Sequence, residues 1–89
     1  MEYNEIYKTI ITILKKRFHF PDELFEGDYV NLPLCGAYFR MGTTELVYLF
    51  YEVERTFQIR ITEDILERCG FHSISEIGEC VLSALKTLV

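Results

Sequence analysis

The chain contains no tryptophan, only two prolines and five glycines, and no hydrophobic run approaching the roughly 20 residues of a membrane-spanning helix. So little Pro and Gly excludes collagen-like and low-complexity architectures. Cations are scarce as well: 9 Lys and Arg stand against 14 Asp and Glu, a formal net charge of −5 over 89 residues. An acidic surface repels phosphates, which disfavours nucleic acid as a partner and favours a protein with a basic surface. Three cysteines, Cys35, Cys69 and Cys80, are too few and odd in number for a disulfide framework. The first residues, Met-Glu-Tyr-Asn-Glu, are acidic and polar, unlike a signal peptide. The expectation is a cytoplasmic protein with reduced, mostly buried thiols and no membrane association.

What remains is ordinary globular composition, 49% apolar and 26% charged, enough for one domain over residues 1–89 with a single modest core. A first helix is predicted from about Asn4 to Phe18. Ile6, Ile10, Ile13 and Leu14 recur at helical spacing, with Tyr7, Ile11 and Phe18 widening the stripe. Lys15, Lys16 and Arg17 suit its C-terminal end. Phe20, before Pro21, is pushed out of helical conformation. A long connection follows, from about Pro21 to Gly42. Ten of the thirteen aromatic residues fall between Phe18 and Phe57, and those in the connection predict a loop packed down by its own side chains.

The second helix is predicted from Thr43 or Thr44 to Phe57, with a threonine as its N-cap and Glu45 in its first turn. Leu46, Phe50, Val53 and Phe57 form its inward stripe, flanked by Val47 and Leu49. Tyr48, Tyr51, Glu52 and Arg55 fall on the opposite face. Gln58 to Ile61 reads as an extended link. Thr62 caps a short helix over Glu63 to Cys69, which Gly70 ends. Ser73-Ile74-Ser75-Glu76 is a capping box opening a last helix that runs to about Leu88, with Ile74, Ile77, Val81, Ala84, Leu85 and Leu88 inward. The predicted fold class is all-α: a four-helix bundle of three long helices and one short one, with a long packed loop between helices 1 and 2.

That order resembles the layout of acyl carrier proteins. The likeness is residue-specific from about Gly42 to Ile77. Val53, Glu54, Phe57, Ile59 and Ile61 match the carrier segment Leu-Glu-x-x-Phe-x-Ile-x-Ile. Glu63-Asp64-Ile65-Leu66 resembles the third carrier helix, and Phe71 to Ile77 the opening of the fourth. The resemblance implies docking of biosynthetic enzymes on the exposed face of the second helix. It also exposes a departure. Carriers begin that helix with Asp-Ser-Leu, whose serine bears the phosphopantetheine arm; here Gly42-Thr43-Thr44 stands in its place. The only serines are Ser73, Ser75 and Ser83, all after the third helix. The chain thus resembles the acyl-carrier-related proteins of peptide-maturation (bacteriocin-type) systems that lack this serine.

These readings predict a non-enzymatic docking or scaffold protein with no cofactor, serving a peptide-modification or related biosynthetic system. Its partner-binding residues would be Thr44, Glu45, Tyr48, Tyr51, Glu52 and Arg55, a face rich in the Tyr and Arg that dominate binding hot spots. Two alternatives stand beside it: a true carrier loaded on Thr43, and a generic helical interaction domain. Cys69-Gly70-Phe71-His72 has Cys-x-x-His spacing but no second cluster, so no metal site is expected. Without a Gly-rich phosphate loop, a nucleophile elbow or paired acid and base groups, no catalytic residues are predicted.

Overall fold

A computed structural model describes residues 2–87 of the chain. It is an all-helical bundle of α1 (Tyr3–Phe18), α2 (Thr43–Phe57), α3 (Glu63–Cys69) and α4 (Ile74–Thr87), with no strand among the described residues. This is the helix order and the fold class expected from hydrophobic periodicity. Leu88, expected on the inward stripe of the last helix, lies outside the described residues.

On α1 the predicted stripe of Ile6, Ile10, Ile13 and Leu14 is buried. Its end is closed by His19 in the left-handed conformation (φ 59°), whose amide donates to the Leu14 carbonyl, as does that of Phe20. α4 is the hub of the bundle. It packs against α1, α3 and part of the long loop, while α1 also meets α2. The α1–α4 approach is tightest at Gly78, where an added Cβ would lie 2.7 Å from Cε1 of Tyr7. A side chain there would have to push the Tyr7 ring aside. The start of α4 is fixed by the predicted capping box, with one change of partner. The Ser73 hydroxyl accepts from the Glu76 amide (3.2 Å), but the Glu76 carboxylate reaches past Ser73 to accept from the His72 amide (2.8 Å). Gly70, at φ +79°, leaves the room that this carboxylate fills.

The loop between α1 and α2 is more regular than its sequence suggests. Two 3-10 turns, Asp22–Leu24 and Tyr29–Asn31, interrupt it. Its aromatic content collects around buried Phe39, which lies 5.0 Å from Tyr38, 5.8 Å from Phe20 and 6.0 Å from Phe25 between ring centroids. The Tyr38 hydroxyl donates to the Leu24 carbonyl, tying the two ends of the cluster together. Leu34 is the deepest loop residue, fully buried. Its amide donates to the His72 carbonyl at 2.6 Å, and its carbonyl accepts from the Met41 amide at 3.0 Å. One residue thereby ties the loop to the α3–α4 corner and sets the direction in which the chain enters α2.

Leu34→Ala is expected to lower stability by about 2–5 kcal/mol, a large fraction of what a domain of this size has. The change would be read as a lower urea midpoint at unchanged slope. A loss below about 1 kcal/mol would mean that the loop packs without this anchor.

Candidate functional site

The N-cap of α2 is Gly42 (φ −85°, ψ 170°), not a threonine. Thr43 is the first helical residue and Thr44 the second. Sequence reasoning placed a threonine at the cap because hydroxyl side chains satisfy the first free amides. Here the Glu45 carboxylate does part of that work by accepting from the Gly42 amide at 3.0 Å. Thr43 is left exposed at the helix mouth, and among the described residues its hydroxyl has no hydrogen-bond partner.

The buried stripe of α2 is also rotated from the expected one. Leu49 and Val53 are fully buried, while Leu46, Phe50 and Phe57 are half-buried. Leu49, predicted as a flank, is thus the centre. The cause is the neighbour: α2 makes its close approach to α1, so the side turned toward α3 is incompletely covered. The result is an apolar groove of about 360 Å³ between α2 and α3. Leu46, Val47 and Phe50 form its α2 wall, with Thr43 and Tyr51 at its edge. Leu66 and Phe71 form the opposite wall. Phe50 meets Phe71 nearly edge to face, ring centroids 5.4 Å apart, so the two walls touch there. Among the described residues no carboxylate, imidazole, amine or thiol lines the groove, so its chemistry is apolar burial.

Beside the groove α2 exposes three large apolar residues in a row: Val47 at 48%, Tyr48 at 63% and Tyr51 at 61%. The tyrosines are therefore not core. Of the other sequence-selected residues, Thr44, Glu45 and Arg55 are exposed. Glu52 is different. Its side chain is 21% exposed, and it is held by Arg17 of α1 (3.4 Å) and by Arg55 (3.8 Å). It belongs to the α1–α2 seam and not to a free acidic face. Val47, Leu46, Phe50, Leu66 and Phe71 were not selected from the sequence as site residues. Val47 had a signal, since an apolar residue that flanks an already complete stripe is often left outside.

The link from α2 to α3 gives Glu54 a definite role. Its carboxylate accepts from the Ile61 amide (2.8 Å) and its carbonyl from the Ile59 amide (3.0 Å). These bonds turn the chain so that Ile59 and Ile61 bury and α3 faces α2 across the groove. Thr62 caps α3 as predicted, accepting from the Ile65 amide.

The thiols divide by environment. Cys35 is exposed, contrary to the expected burial, because it sits on the outer side of the turn after Leu34; Cys69 is half-buried and Cys80 buried. Burial pushes the Cys80 thiol up to about 12, with Cys69 adding to the shift, and its Sγ–H donates to the Gly70 carbonyl at 2.8 Å. Among the described residues no three His, Cys, Asp or Glu side chains gather as a metal site, and no helix is long and apolar enough to cross a membrane. Comparison with protein-family models, curated proteins and solved structures found no significant match for this chain.

Iodoacetamide at mildly alkaline pH is expected to alkylate Cys35 first and to reach Cys80 only on unfolding, as read by peptide mass. Because the folded state raises the Cys80 value above its ordinary 9.0, stability is unaffected below pH 9 and falls as pH climbs toward 12. Cys80→Ala should remove that part of the alkaline slope. Rapid labelling of Cys80 in the folded protein would contradict this assignment.

Proposed function

We propose that the chain is a non-enzymatic docking or scaffold protein with an acyl-carrier-like layout, serving a peptide-modification or related biosynthetic system. The observation that carries the reading is the exposed Val47, Tyr48 and Tyr51 row beside an apolar groove at the start of α2, where a helix face would otherwise be polar. Exposed aromatic area next to a concave apolar surface is the chemistry of protein recognition. The order of three long helices and one short one, with a long loop before α2, supports the carrier-like layout. The residue at the arm position, Thr43, supports a role without a phosphopantetheine arm. A secondary hydroxyl is more crowded than that of serine, and the flanking Gly42 and Thr44 depart from the carrier tripeptide.

One observation favours a second reading, a carrier loaded on Thr43. Thr43 is exposed, its hydroxyl has no hydrogen-bond partner among the described residues, and it lines the groove. Intact mass after co-expression with a broad-specificity phosphopantetheinyl transferase separates the two. An unmodified mass is expected; a gain of the phosphopantetheine mass, abolished by Thr43→Ala, would replace the docking reading with the carrier one. On the docking reading, Tyr48→Ala with Tyr51→Ala should weaken capture of the pathway enzyme by about tenfold or more, with far-UV circular dichroism unchanged. Undiminished capture would remove α2 from the docking surface.

A further inference from the structure

The face of α2 that looks away from the core is complementary to itself. Thr44, Tyr48, Tyr51 and Arg55 follow at intervals of four, three and four residues, so they lie on one stripe of the helix. That series reads the same from either end. Two copies of α2 laid antiparallel, with a twofold axis between Leu49 and Phe50, set Tyr48 of each against Tyr51 of the other. Arg55 of each then lies at the level of Thr44 of the other, about 16 Å along the helix from its own Thr44.

Such an axis, perpendicular to both helices, keeps like flanks on the same side. On one flank Val47 packs beside Tyr51 of the second copy. On the other flank Glu45 lies one residue, about 1.5 Å along the axis, from the level of Arg55 of the second copy. Arg55 is already 3.8 Å from its own Glu52. In the pair it would sit between two carboxylates, its own Glu52 and Glu45 of the second copy. One oxygen of Glu45 accepts from the Gly42 amide, leaving the other for this contact.

We infer that the outer face of α2 is an isologous dimer interface, closed by Tyr48–Tyr51 packing at its centre and by Arg55–Glu45 pairs at its ends. The arrangement of charge selects a second copy as the occupant. The strip carries both signs, a carboxylate near its N-terminal end and a guanidinium near its C-terminal end, and an antiparallel copy presents them in reverse order. A uniformly basic partner would match Glu45 and oppose Arg55. The net charge of −5 on each chain works against association at low salt, and physiological salt screens that repulsion over distances beyond about 8 Å. This inference does not depend on the docking role.

Sedimentation velocity at about 0.15 M salt, over roughly micromolar to millimolar chain, tests it. The mass is expected to rise from 10.5 kDa toward twice that value with concentration. Arg55→Glu should raise the dimer dissociation constant about tenfold or more, and Tyr51→Ala likewise, with helicity by circular dichroism unchanged. Lys8→Glu places the same charge change on an exposed position of α1, outside the face, and should shift the constant far less. A chain that stays monomeric throughout, or a dimer that responds equally to Lys8→Glu and Arg55→Glu, would overturn the proposal.

Discussion

Leu34 holds the long loop against the bundle, and the surface around α2 inherits its position from that anchor. Ordering each loop residue costs about 1–2 kcal/mol of backbone entropy, so a connection from Phe18 to Thr43 stays packed only where burial offsets the cost. The aromatic cluster around Phe39 supplies apolar burial, and Leu34 supplies the register. Its amide is bound to His72, at the corner where α3 gives way to α4, and its carbonyl to Met41, one residue before the cap of α2. The same short stretch therefore sets where α2 begins and where α4 begins. Glu54 adds the remaining constraint, bonding the far end of α2 to the segment that leads into α3. With both ends of α2 held, the angle between α2 and α3 stays open, and the groove is the space that α1 and α4 leave unfilled.

The strong helical periods were legible without coordinates. On α1, the Ile6, Ile10, Ile13 and Leu14 stripe is narrow, so its burial follows from spacing alone. α2 was harder for a physical reason. Leu46, Val47, Leu49, Phe50, Val53 and Phe57 span about 160° of its circumference, and periodicity cannot choose which part of so wide a band is buried. Packing on α1 chooses Leu49 and Val53, leaving Leu46, Val47 and Phe50 to line the groove, Val47 the most exposed of the three. The same limit hid the cap. A threonine beside a helix start is a strong local signal, but Glu45 reaching back to Gly42 is an equally good solution, and the two differ only in coordinates.

The tyrosine face was legible in part. Tyr48 and Tyr51, both predicted on the outer face, are exposed, whereas Glu52, predicted on the same face, is drawn into a seam by Arg17, 35 positions away. Leu66 and Phe71 carried no signal at all as site residues. They join the groove only because the Glu54-bonded link folds α3 across from α2. Local pattern thus identified the outer row, and long-range contact decided which charge and which cavity go with it.

If α2 both pairs with a second copy and docks an enzyme, the two draw on one surface and are coupled by mass action. A dimer closed over Tyr48 and Tyr51 would cover the residues a docking enzyme would grip, so such an enzyme would bind the monomer and work against the dimerisation equilibrium. Val47 and Tyr51 also line the groove, so the proposed dimer would cover part of its α2 side. The cost of displacing the second copy would depend on chain concentration, so under these two proposals the amount of this protein, and not only its affinity, would determine how much of the α2 face is free.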